Sequence, residues 1–274
     1  MAENHPDETW FLGNLQNKDE FPARWLTPGG TLIHLAYSGR HEPEVIHQLH
    51  TAAHDAGIER IIFCSTAMVV GQTEDPVITE DSTAHPKSLY ELEKTATEVE
   101  IVRLKWAMPV TILRPTAVFG PNGKNLIFAM SDFYADGIKN RLRRIIFGTR
   151  SMHLVSVHNV VEAILHLAKI PKKQLESVYQ VTDDDAAQNQ FHELFREFVR
   201  FRNLPDLGPS VGGPFLPAHF LKLFLKATGR SLVNPKARFS QDRLIRSGYR
   251  PVISLEKALL EFFSWYDSKI SNKT

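Results

Sequence analysis

Short, unbroken apolar runs alternate with amphipathic stretches through the first half of the chain. Thr31–Ala36 (TLIHLA) follows the turn signal Pro28-Gly29-Gly30 and predicts a buried strand. Glu42–Gly57 predicts a helix closed by Gly57, and Arg60–Cys64 (RIIFC) the next strand. Ser88–Lys105, rich in Glu, Lys and Ala, predicts a second helix, and Pro109–Leu113 (PVTIL) a third strand. Strands that are apolar throughout, rather than at alternate positions, belong to parallel sheets covered on both faces. The expected fold class is therefore α/β. Ligands of such sheets sit beyond the carboxyl ends of the strands, so the residues that follow each strand are the ones to search for chemistry.

After Gly120-Pro121 this rhythm breaks. Asn125–Gly137 and Asn159–Ala168 predict helices, Val178–Val181 a short strand, and Asp206–Pro217 a Gly/Pro-rich connection. Pro217–Thr228 predicts a basic amphipathic helix, and Ser254–Asp267 a final helix with Ser254 as its N-cap. The expected division is a core unit over 1–120 and a smaller substrate lobe over 121–274, with segments of the second returning to the first.

Composition narrows the function classes. Lys plus Arg number 32 and Asp plus Glu 31, so no basic field exists to hold nucleic acid. A single cysteine, Cys64, excludes an intramolecular disulfide and a cysteine-cluster zinc site. The longest apolar stretches run to about ten residues, too short to span a bilayer. Met1–Trp10 is polar and acidic, unlike a signal peptide. A soluble, cytoplasmic protein with neither nucleic-acid nor membrane partners is expected.

Tyr90 and Lys94 stand four apart near the start of a predicted helix, hence on one face. An ammonium near a phenol favours the phenolate and makes the tyrosine a usable acid or base near neutral pH. The same spacing also describes an ordinary solvated helix face. Cys64-Ser65-Thr66-Ala67 closes the strand Arg60–Cys64 and puts hydroxyls where they could meet Tyr90; the plain alternative for Thr66 is a strand-end hydroxyl satisfying backbone.

The order of these pieces decides between the two. Ser65-Thr66, Val69-Val70-Gly71, Ile78-Thr79-Glu80-Asp81, Pro86-Lys87-Ser88-Leu89-Tyr90 with Lys94, and Arg114-Pro115-Thr116-Ala117-Val118-Phe119-Gly120-Pro121 follow one another. His34-Leu35-Ala36 precedes them, and Tyr249-Arg250-Pro251 with Ser254-Leu255 to Trp265-Tyr266 ends the series. This series resembles the extended short-chain dehydrogenase/reductase family, the NAD-dependent epimerase/dehydratases, from about Trp10 to Tyr266. The resemblance implies a Rossmann-like parallel sheet and NAD or NADP as cofactor. It implies Tyr90 as acid/base, Lys94 on the nicotinamide ribose, and Thr66 as the hydroxyl that binds the reacting oxygen, with Ser65 as the alternative. On the cofactor side it implies Ala36, Ser65, Lys94 and Pro115.

The family opens with a strand, G-x-x-G-x-x-G and a helix, and none of the fifteen glycines forms that run. Trp10–Leu15 instead resembles the end of the family's third strand, where Asn14 takes the place of an Asp near adenine. The first two strands and the diphosphate loop are thus expected to be lacking from this chain, leaving Thr31–Ala36 as an exposed apolar edge. Weak dinucleotide binding is expected from the missing loop, and aggregation or pairing into a homodimer from the exposed edge.

On the substrate side, Lys139, Arg141, Arg143, Arg144 and Arg150 put five cations and no anion in a short stretch. They read either as a solvated turn or as a clamp in which Arg143, Arg144 and Arg150 hold the diphosphate of a nucleotide sugar. Ala117 stands where many sugar-nucleotide members carry Asn, which leaves open a reductase of the hydroxysteroid or dihydroflavonol type. A non-catalytic relative that binds no dinucleotide is the reading from another class. His47, His50 and His54 share a predicted helix face but lack a completing carboxylate or cysteine motif, so no metal is expected.

Overall fold

The computed structural model describes residues 8–9, 11–17, 26–104, 106–123, 126–127, 142, 145–203, 217–227 and 234–271. In chain order its strands are β1 (Thr31–His34), β2 (Arg60–Cys64), β3 (Val77–Ile78), β4 (Val110–Pro115), β5 (Ala117–Phe119), β6 (Leu154–Ser156), β7 (Val178–Val181) and β8 (Arg238–Phe239). Its α-helices are α1 (Glu42–Asp55), α2 (Leu89–Arg103), α3 (Val157–Lys169), α4 (Phe191–Phe201), α5 (Ala218–Ala227), α6 (Asp242–Arg246) and α7 (Leu255–Ser271).

Four parallel strands form the main sheet in the order β1-β2-β4-β7. Ile33 pairs with Ile62, Phe63 with Ile112 and Leu113 with Tyr179, so the strand ends line up. Neighbouring residues of one strand face opposite sides, and the apolar runs are buried accordingly. Phe63 and Ile112 pack with Val45, Ile46 and Leu49 of α1 and Ile101 of α2. Ile62 and Leu113 pack on the other face with Val160, Ala163 and Leu167 of α3. This is the two-sided α/β sheet that the unbroken apolar runs predict. A third cluster lies past β5, where Phe119 and Leu154 meet Phe195 and Phe198 of α4 and Phe262 and Phe263 of α7. Two short parallel pairs, β3–β8 and β5–β6, stand at the sheet's carboxyl end.

The start of α2 sets where Tyr90 sits. Ser88 Oγ accepts from the Glu91 N–H at 3.2 Å, while Glu91 Oε2 accepts from the Ser88 and Lys87 N–H groups at 3.1 and 2.8 Å. This reciprocal cap satisfies donors that a helix start otherwise leaves unpaired, and losing its serine costs about 1 kcal/mol.

Three expectations need correction. Residues 11–15 are not a strand. Asn14 Oδ1 accepts from the Gln16 N–H at 3.0 Å and its carbonyl from Asn17 at 3.0 Å, so the asparagine turns the chain locally. Trp10 lies outside the described residues. The first strand ends at His34 rather than at Ala36, because Leu35, Ala36 and the residues after them leave the sheet towards the cavity at its end. A helix that composition did not single out, α4, is fully formed, with Phe191, Leu194, Phe195 and Phe198 buried at helical spacing. The helix predicted over 125–137 falls mostly outside the described residues, as does the connection over 206–216. Among the described residues β2 is the one strand partner of β1, and Ile33 and Leu35 are 39% and 61% exposed.

Candidate active site

The carboxyl ends of β1, β2 and β4 surround a cavity of about 710 Å³. Cys64, Ser65 and Thr66 come from the end of β2, Tyr90 and Lys94 from α2, and Pro115 and Thr116 from the end of β4. The far wall carries Arg150, Ser151, Met152 and His153, with Phe239 of β8. Lysine, arginine and histidine line it, and no carboxylate does among the described residues.

Thr66 and Tyr90 line the same cavity, and the Thr66 hydroxyl lies near enough to the phenol to favour its ionised form. Thr66 also accepts from the Met68 N–H at 3.2 Å. That bond occupies a lone pair of the hydroxyl and leaves its proton for an oxygen bound in the cavity. The Tyr90 ring stands edge-on to Tyr37, centroids 5.3 Å apart. Tyr37 in turn donates its hydroxyl to Glu93 and is pushed up to about 12, first by burial and then by that carboxylate.

Lys94 is buried, 3% exposed. Its ammonium lies 3.6 Å from Glu42 Oε1, 4.6 Å from the centre of the Tyr37 ring and 5.2 Å from that of Phe63. Glu42, itself wholly buried, is held by the Ser38 N–H at 2.6 Å and lies 3.3 Å from His34 Nε2. Burial alone would raise the Glu42 carboxyl; the bonds from His34 and Ser38 and the Lys94 charge hold it below the usual range. Tyr90 therefore departs from expectation. Its phenol is raised, not lowered, by burial first; the Thr66 hydroxyl works against that, and Cys64 and then Glu42 add to it. Glu42, which stands beside Lys94, is thus a smaller contributor than burial.

The cavity thus brings together Thr66, Ser65, Tyr90, Lys94, Pro115 and Arg150. Ser65 Oγ is buried with no hydrogen-bond partner. Ala36 sits between Leu35 and Tyr37, which both line the cavity. Asn14 lies in its own turn and does not line it. Arg143 and Arg144 lie outside the described residues. Sequence reading missed Tyr37, Glu42, His153 and Phe239. Glu42 opens a helix, where an acid is ordinary, so nothing local marks it.

Comparison with known proteins gives the family. Residues 39–181 match the model of the NAD dependent epimerase/dehydratase family, just over half of the chain. The chain belongs to that family. It is 32% identical over 182 residues to a UDP-glucose 4-epimerase of Vibrio cholerae, covering 65% of this chain and 52% of that protein. It is 36% identical over 78 residues to the dTDP-D-glucose 4,6-dehydratase of Mus musculus, covering 28% of this chain and 22% of that one. The chain thus spans about half the length of the first relative and far less of the second. Among solved structures, RMD from Pseudomonas aeruginosa complexed with NADPH superposes with a TM-score of 0.68 at 18% identity, over 98% of this chain and 92% of that one. MoeE5 in complex with UDP-glucose and NAD gives 0.61 at 18% identity, over 90% and 82%. These two likenesses show the fold.

Proposed function

We propose that this chain carries the reaction centre of an NAD(P)-dependent enzyme that transforms a nucleotide-linked sugar, with Tyr90 as the acid/base. The placement of the Thr66 and Tyr90 hydroxyls on one strand-end cavity carries this reading. Two polar hydroxyls converging on one point bind a single substrate oxygen. Thr66 donates to it while Tyr90 gives or takes its proton. Tyr90 takes the proton of an alcohol as it is oxidised and gives a proton to a carbonyl oxygen as it becomes an alcohol.

The residues present fit the nicotinamide end of the cofactor. Ser65 Oγ is an unpartnered buried hydroxyl on the cavity that Lys94 also lines, and Pro115 and Leu35 provide apolar walls for a planar ring. When bound, the nicotinamide supplies a hydride acceptor and donor. Ala36 and Pro115 are assigned to backbone contacts at this end. Arg150, with Arg143 and Arg144, is assigned to the substrate diphosphate, since a guanidinium matches phosphate oxygens in pairs. The UDP-sugar and dTDP-sugar relatives favour a nucleotide sugar over a steroid-like substrate.

A second reading, a relative that binds no dinucleotide, draws on the lack of any G-x-x-G-x-x-G run in the sequence. Isothermal titration of the 274-residue chain with NAD, NADP and UDP-glucose separates the two. Saturable binding of a dinucleotide that UDP-glucose strengthens or leaves intact supports the enzyme. Binding of UDP-glucose with no dinucleotide uptake up to millimolar concentration supports the second.

A further inference from the structure

His153 stands on the cavity wall contributed by Arg150–His153 and Phe239, and nothing in the reading above uses it. Its backbone is left-handed, φ 55°, a conformation costly for a residue with a Cβ. The strain is imposed from both sides. The His153 carbonyl accepts from the Ala117 N–H at 2.7 Å, and the chain enters β6 at the next residue.

The imidazole is fixed as firmly as the backbone. Nδ1 lies 2.7 Å from Asp184 Oδ2, and Asp184 is 2% exposed in its side chain. The same carboxylate oxygen accepts from the Phe239 N–H at 2.8 Å, and the other accepts from Asn189 Nδ2 at 3.2 Å. A carboxylate held by two donors acts as acceptor towards the ring as well, so Nδ1 carries the hydrogen. The bare nitrogen is then Nε2, which pairs with no group among the described residues. Phe239 stands edge-on to the ring at 5.1 Å and holds its plane. The other charged groups nearby are accounted for: Asp183 accepts from Ser156 and Asn159, Asp185 pairs with Arg238, and Arg150 shares the cavity wall.

We propose that His153 is a second proton-transferring residue of this cleft, with Asp184 positioning it. The proposal rests on the nucleotide-sugar reading of the cavity. His153 Nε2 takes the proton from the carbon next to the carbonyl that Thr66 and Tyr90 hold. The C–H electron pair becomes the C=C bond of an enolate, whose oxygen keeps the hydrogen bond from Tyr90. The imidazolium so formed is balanced by Asp184, and after exchange with solvent it returns a proton to the same face of the same carbon. No oxidant enters this step. It adds hydrogen exchange at the neighbouring carbon to the chemistry available at the carbonyl carbon.

The test uses UDP-4-keto-6-deoxyglucose, which already carries the carbonyl, incubated with the full chain in D2O and followed by proton NMR. Nicotinamide absorbance, read separately with NAD, reports the redox step, so failure of that reading and failure of this one are distinct. The expected result is wash-out of the protons next to the carbonyl faster than without protein. His153→Gln slows the wash-out at least ~10²-fold, the scale of general acid–base catalysis. Asp184→Asn slows it while leaving ligand binding within about twofold. Wild-type wash-out no faster than the protein-free rate, or wash-out unchanged in His153→Gln, overturns the proposal. A second measurement needs no variant: diethyl pyrocarbonate labelling read by peptide mass. Labelling of His153 that UDP blocks supports the proposal; His153 left unlabelled while the exposed His54 reacts overturns it.

Discussion

The Lys94 ammonium lies 3.6 Å from Glu42 Oε1, with both groups closed off from solvent. The charge that a Tyr-x-x-x-Lys spacing assigns to the phenol is thus shared first with a carboxylate from the start of α1. Glu42 is also one of the groups that raise Tyr90.

Removing that carboxylate should therefore lower the Tyr90 phenol. Glu42→Gln keeps the volume and removes the negative charge. Ultraviolet difference titration, with Tyr90→Phe subtracting the other tyrosines, is expected to show Tyr90 ionising at lower pH in the variant. An unchanged or higher titration would separate Glu42 from the electrostatics of the site.

The same substitution bears on stability. The Glu42 carboxyl is depressed in the folded protein, despite burial, by His34, the Ser38 N–H and Lys94. A depressed carboxyl stabilises the fold above its unfolded pKa, and that contribution is lost as pH falls through the folded value. Glu42→Gln leaves a buried ammonium without its counter-ion, which costs about 3–5 kcal/mol. Urea unfolding at neutral pH is expected to show a loss of that order. The gap between wild type and variant should narrow as pH drops below the ordinary carboxylate range.

Gly71 holds the segment that leads from the Thr66 turn towards α2. Its φ is 62°, and a Cβ there would fall on the His85 carbonyl, which accepts from the Gln72 N–H at 2.9 Å. Gly71→Ala meets both a conformational penalty of about 1 kcal/mol and a backbone clash. The expected loss is more than ~2 kcal/mol in urea unfolding, with the bridge between Gly71 and His85 broken. A variant as stable as wild type would show that this segment is free to shift.

The sheet was legible because its strands are apolar without interruption: Arg60–Cys64 and Val178–Val181 coincide with the predicted runs. That Thr66 and Tyr90 line one cavity was legible from the resemblance, because strand end and helix start are each marked by short motifs. Glu42 and His153 were not. Each acquires its role from residues distant in sequence, Lys94 for one and Asp184 for the other, and no spacing rule connects them. Asn14 misled because a short apolar stretch around it, ending in Leu15, imitates a strand, whereas its side chain bonds its own neighbour two residues on.

The account stands on Tyr90 as the group that moves the proton. Its most direct test is turnover of UDP-glucose with NAD, followed by NMR, for the full chain and for Tyr90→Phe, which keeps the ring against Tyr37 and removes only the hydroxyl. The expected result is a rate lower by at least ~10²-fold in the variant, with UDP-glucose binding nearly unchanged. Turnover in Tyr90→Phe equal to that of wild type would contradict the account.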